Sequence, residues 1–170
     1  SVPGRGFGGH SHYSPAKPLI AATEGYALAG VCELVLACDL VVASEKSKFG
    51  LPEVKRSLVA GAGGVFRLPQ QIPQRIAMEM VMTGDHYSAE RMYEVGLINS
   101  ITQEGKALDG AKELAARIAG NGPLATAASK KIMQEYKTWP HDEIWKRQQV
   151  IRSEERRVGK ECRSRWTASA

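Results

Sequence analysis

From Gly30 to Leu40 the chain reads Gly-Val-Cys-Glu-Leu-Val-Leu-Ala-Cys-Asp-Leu, and across residues 31–38 Glu33 is the only charge. A segment this apolar on every side is a buried helix, so the rest of the chain has to fold around it. Just ahead of it, residues 19–23 form a short apolar, partly β-branched run that reads as a buried strand. Gly25 and Gly30 mark sharp turns between the two. The order is strand, glycine turn, buried helix.

A carboxylate is almost never fully buried unless it is paired, and one drawn into an apolar body is a candidate for proton transfer. The first turn of the helix carries unpaired amide donors and the positive end of the dipole, which suits an anion or a developing oxyanion near the Gly30 amide. Glu33 sits beside that spot. The other reading of Glu33 is a first-turn acid that only complements the dipole, worth ~0.3–1 kcal/mol. Glu53 follows Leu51-Pro52, where proline removes a donor and fixes an extended or turn backbone. Alone it is an ordinary loop glutamate, and only a pairing with Glu33 makes it a candidate.

Further on, residues 40–43 predict a second buried strand and residues 48–50 a third, short one leading to Glu53. Strands alternating with helices argue an α/β layer. Gly61-Ala-Gly-Gly64 opens another helix up to Leu68-Pro69; its amides either cradle an anion or the glycines serve close packing. Residues 76–82, 89–95, 108–119, 124–136 and 143–151 show helical spacing, separated by Gly84, Gly96 and Gly122-Pro123. Lys130-Lys131 reads as a solvated face or as a contact for an anionic group.

Lys17-Pro, Gly25-Tyr-Ala-Leu-Ala-Gly30, Cys32-Glu33, Ala37-Cys-Asp39, Phe49-Gly-Leu-Pro-Glu53 and Gly61-Ala-Gly-Gly64 together resemble the enoyl-CoA hydratase/isomerase (crotonase) family. Arg67-Leu-Pro69, Ala77-Met-Glu-Met80, Thr83-Gly84, Ser88-Ala-Glu90 and Glu94-Val-Gly-Leu-Ile98 extend the resemblance, which runs to about residue 151. It implies the crotonase-like (ClpP/crotonase) spiral fold: part of the core of ββα repeats over residues 1–103, and a helical C-terminal trimerisation region over 104–151. It also implies that Glu33 and Glu53 are the two catalytic glutamates, one acting as base and the other as acid in syn addition of water to a 2-trans-enoyl-CoA. The product is a 3-hydroxyacyl-CoA, as in fatty-acid β-oxidation or related acyl-CoA catabolism. The Gly30 amide is then one of two donors to the thioester oxygen. Coenzyme A thioester is the substrate, with no cofactor and no metal, and the full-length assembly is a homotrimer or hexamer.

Two departures from the family pattern bear on this. Val31 stands where the resemblance calls for glycine, and its β-branched side chain restricts the backbone next to the Gly30 amide. Lys55-Arg56-Ser57 replaces a common apolar pair and a glycine. Family members that isomerise double bonds usually lack one or both glutamates, so holding both favours hydration. The other outcomes are an isomerase or another acyl-CoA enzyme of the family, and a non-catalytic acyl-CoA binder whose oxyanion site Val31 has disabled.

Family members begin with further strand and helix that carry the first oxyanion donor, so the chain is expected to be the central and C-terminal part of such a protein, with reduced or no activity by itself. Residues 152–170 depart abruptly from the pattern and resemble a translated sequencing adapter. They are read as a non-native tail and set aside; the alternative is a genuine basic tail for nucleic acid or an anionic surface. The formal net charge is +5. Arg152, Arg156, Arg157, Lys160, Arg163 and Arg165 against Glu154, Glu155 and Glu161 supply most of that excess. What remains is ordinary, and no nucleic-acid partner is expected.

No stretch approaches the ~18 uninterrupted apolar residues of a membrane span, so the reading is a soluble cytoplasmic protein without a membrane partner. Cys32 and Cys38 read as small core residues on different faces of one helix. His10, His12, His86 and His141 lack ligand spacing, and His10-x-His12 reads as a solvated loop.

Overall fold

The two longer apolar strands predicted from the sequence, which form at Ile20–Thr23 and Leu40–Ser44, are each followed by a shorter one, and the two members of each pair go to different sheets. The computed structural model describes residues 3–167. In chain order it forms β1 (Ile20–Thr23), β2 (Tyr26–Leu28) and α1 (Gly30–Leu36), then β3 (Leu40–Ser44), β4 (Lys48–Gly50), a 3-10 turn (Pro52–Arg56), α2 (Gly64–Gln71) and α3 (Gln74–Thr83). β5 (Tyr87–Ser88), α4 (Ala89–Glu94), β6 (Ser100–Thr102) and α5 (Ala107–Ala119) follow. β1, β3 and β6 form one parallel sheet in the order β1-β3-β6. β2 and β4 pair in parallel and β4 with β5 antiparallel, giving the second sheet. This is the ββα repeat of the expected α/β fold.

β3 is central in its sheet and buried from Val41 through Ser44, as suits a parallel strand covered on both faces. Asn99 zips its neighbour onto it: the Asn99 side-chain oxygen accepts from the Val41 amide, and the Asn99 amide donates to the Val41 carbonyl, each at 2.8 Å. Phe49, Leu36, Leu51, Leu68, Met80 and Met92 fill the space between the sheets and helices and are almost completely buried.

The buried helix is shorter than the apolar run predicts, ending at Leu36. The chain has to turn there so that Leu40 falls opposite Ile20 in β3. Asp39 anchors the turn: its carboxylate accepts from the Leu19 amide at 2.7 Å, and the Asp39 and Leu40 amides donate to the Leu19 carbonyl at 3.0 and 3.1 Å. Cys38 therefore lies beyond the helix rather than on it. The helix is also not buried all round, since Val31 is 50% exposed. α2 runs through Pro69, where the sequence predicts its end, to Gln71, and Gln71 donates to the Leu36 carbonyl at 2.8 Å. β2, β5 and β6, unannounced by periodicity, exist through their pairing.

The chain divides into two compact units, Ser1–Ala115 and Ala116–Ala170. The second contains α6 (Pro123–Glu135) and α7 (Ile144–Thr167), which pack against each other. α7 continues through residue 152, the expected start of the non-native tail, without a break. Among the described residues no helix is long and apolar enough to cross a membrane.

Candidate active site

β2 ends at Leu28, and the chain must reverse sharply to start α1 at Gly30. Ala29 makes that reversal with φ 51° and ψ −130°, a conformation that costs an L-residue of order 1–3 kcal/mol. Its amide donates to the Gly50 carbonyl at 2.9 Å and its carbonyl accepts from the Glu33 amide at 3.0 Å, so both neighbouring elements hold the strained residue in place. The Gly30 amide opens the helix and has no acceptor within it. The backbone at Gly30 approaches the leader loop closely: a Cβ there would lie 2.8 Å from the Phe7 ring, which would have to move aside.

Glu33 is 3% exposed, in the first turn of α1. Its Oε1 accepts from the backbone amides of Ala62 and Gly64, both at 2.8 Å. The glycine turn at residues 61–64 thus does cradle an anion, and the anion is this chain's own carboxylate. Gly64 opens α2, so the helix end of the turn adds its dipole to the pairing. A Cβ at Gly64 would meet Glu33 Cγ and Leu51 Cδ1 at 3.0 Å, so close packing and anion binding act at the same residue.

Glu53 sits in the 3-10 turn that follows β4, directly after Pro52. Its Oε2 is buried and meets no hydrogen-bond partner among the described residues. Such an atom is unusual in a folded protein. The thiol of Cys32, next to Glu33 in sequence, is pushed up to about 12, chiefly by burial, with the negative charges of Glu53 and Glu33 adding to the effect. Cys32 is unbridged, fully buried core, as the sequence predicts.

Gly30, Glu33, Gly61 and Ala62 line a cleft of about 520 Å³ together with Phe7 and His12 of the leader loop. Glu53 is not among its lining residues. His12, read from sequence as solvated loop, is exposed but placed on this wall. Its neighbour His10 is tied down, with Nε2 3.2 Å from the Leu34 carbonyl. Sequence reasoning also passed over Arg67, whose guanidinium donates to the carbonyls of Ala62, at 2.9 Å, and Ser11. Only its place in the family motif hinted at a role. Val31 leaves α1 intact from Gly30 onward, with its side chain turned toward solvent.

Paired ββα units with a buried carboxylate clamped by a glycine turn define an α/β protein of the crotonase type. Residues 10–155 match the family model for enoyl-CoA hydratase/isomerase, and the chain belongs to that family. It is similar to the crystal structure of an enoyl-CoA hydratase from Mycobacterium marinum at 55% identity and a TM-score of 0.86, over 88% of this chain and 61% of that one. A carnitinyl-CoA hydratase from Mycobacterium avium matches at 42% identity and a TM-score of 0.77, over 88% of this chain and 60% of that one. A carnitinyl-CoA dehydratase of Salmonella agona (strain SL483) is 43% identical over 127 residues, which is 75% of this chain and 49% of the relative. The chain spans about half the length of the curated relatives it matches.

Proposed function

We propose that this chain carries the proton-transfer half of an enoyl-CoA hydratase site, with Glu33 and Glu53 handling the water and the Gly30 amide facing the thioester oxygen. The observation that carries the reading is the buried Glu33 carboxylate lining the same cleft as the first amide of α1. Two amides on Oε1 fix the orientation of the carboxylate. The buried, unmatched Oε2 of Glu53 gives a second polar atom able to take a hydrogen bond from water.

In this scheme the water oxygen bonds to the β carbon of the enoyl thioester while one carboxylate takes its proton. The other delivers a proton to the α carbon on the same face. Charge that develops on the thioester oxygen meets the Gly30 amide, and a preorganised donor of this kind is worth about 2.7–4 kcal/mol in a water-excluded site. Dehydration of a 3-hydroxyacyl-CoA is the same path reversed. The relatives named for carnitinyl-CoA favour an acyl group with a polar substituent as a second reading of the substrate. Self-association into a trimer or hexamer belongs to the same proposal; Met133 and Trp145, 72% and 75% exposed on α6 and α7, offer apolar surface for it.

Product analysis tests the reaction class. A 3-hydroxyacyl-CoA formed from crotonyl-CoA supports hydration, a shifted double bond in a longer enoyl-CoA points to isomerisation, and tight acyl-CoA binding without turnover points to a binder.

A further inference from the structure

Arg67 lies on α2 one turn past Gly63, half-buried beside the glycine cradle. Its Nη1 donates to the Ala62 carbonyl at 2.9 Å and its Nη2 to the Ser11 carbonyl. The amide of that same Ala62 donates to Glu33 Oε1 at 2.8 Å. Ala62 is therefore gripped on both sides, its N–H by the carboxylate and its C=O by the guanidinium.

The local backbone is shaped to allow this. Gly63 has φ 106°, and a Cβ there would lie 2.1 Å from Arg67 Nη1, so only glycine lets the arginine fold back across the turn. On the far side of the fork, Ser11 is fully buried, and its neighbour His12 lines the cleft with Glu33. A guanidinium is a rigid planar set of donors, and lysine cannot reproduce two divergent bonds to two carbonyls. Burial lowers the Arg67 pKa while the Glu33 charge acts to raise it, so the two groups sense each other electrostatically.

We propose that Arg67 is a positioning residue for Glu33: its fork joins the Ser11 and Ala62 carbonyls and so keeps the Ala62 amide on Glu33 Oε1, fixing the carboxylate's orientation in the cleft. The proposal rests on the reading of Glu33 as a proton-transfer group.

The test follows the Ala62 and Gly64 amides of this chain by proton–nitrogen correlation spectra and hydrogen exchange at neutral pH. In the wild type both amides carry the signature of a hydrogen bond to Glu33, a downfield proton shift and slowed exchange, and Glu33→Gln moves both. Arg67→Met is expected to move the Ala62 amide upfield and speed its exchange more than that of Gly64. Gly64 is the internal control, since a merely structural role moves both amides alike. Arg67→Lys keeps the charge but not the fork, so the Ala62 signature weakens there too. An unchanged Ala62 shift and exchange rate in Arg67→Met overturns the proposal; if that variant does not fold by circular dichroism, an unchanged Ala62 signature in Arg67→Lys does so. In the intact reading frame, Arg67→Met lowers kcat by up to about 10²-fold with little change in KM. Hydration unaffected by Glu33→Gln defeats the proton-transfer reading separately, whatever the Arg67 spectra show.

Discussion

Glu33 and Gly64 are hydrogen-bonded across the core: the Gly64 amide, at the start of α2, donates to Glu33 Oε1 at 2.8 Å. The contact joins the first turns of two helices, and a buried carboxylate is supported at once by two amides and by a helix dipole.

Gly64→Ala tests how tightly that joint is built. The added methyl would press on Glu33 Cγ and Leu51 Cδ1, each 3.0 Å away, and on Glu33 Oε1 at 3.1 Å. Overpacking of this kind costs about 1–3 kcal/mol. Urea denaturation is expected to show a lowered midpoint with an unchanged m value.

Among the described residues, Ala29 and Ser57 are the non-glycine residues held at positive φ. Ser57 caps the 3-10 turn in the left-handed region at φ 57° and ψ 32°, which accounts for the glycine that the family pattern has there. Ser57→Gly is expected to stabilise the fold by roughly 1 kcal/mol. Ala29→Gly relieves the rarer conformation and is expected to gain about 1–3 kcal/mol. The ranking of the two variants in the same denaturation experiment checks the assignment of strain to the reversal before Gly30.

Cys32 predicts the alkaline side of the stability profile. Its thiol is raised by burial from 9.0 to about 12 in the folded chain. Between those values the unfolded chain releases the proton and the folded chain keeps it, so the folded state binds more protons and stability falls as pH rises. The contribution is fully present below pH 9 and is lost toward pH 12. Cys32→Ala is expected to flatten this part of the curve relative to wild type, and a thiol reagent at pH 8 is expected to leave native Cys32 unmodified.

Much of this was legible in the sequence because it depends on local pattern. Glu33 stood out as one charge in an apolar run, and its burial is what the run predicts. β1, β3 and β4 were readable from their apolar, β-branched content, and the two-way reading of residues 61–64, anion cradle or close packing, resolved into both at Gly64. The elements that escaped are those that distant partners create. Tyr26–Leu28 is a strand only because Lys48–Gly50 lies beside it, and α1 ends at Leu36 because Leu40 must meet Ile20. Arg67 and His12 escaped for the same reason, since one acts through carbonyls of two separate loops and the other reaches the cleft through the course of the leader loop. Nothing in an alanine signals positive φ, so Ala29 was invisible as well.

The central claim is that Glu33 moves a proton in hydration of an enoyl thioester. The most direct test follows loss of the enoyl-thioester absorbance of crotonyl-CoA in the intact reading frame containing this chain, comparing wild type with Glu33→Gln and Glu53→Gln. Each single substitution is expected to slow hydration by about 10²–10⁴-fold while the protein stays folded. Hydration at the wild-type rate with both glutamates replaced would contradict the account.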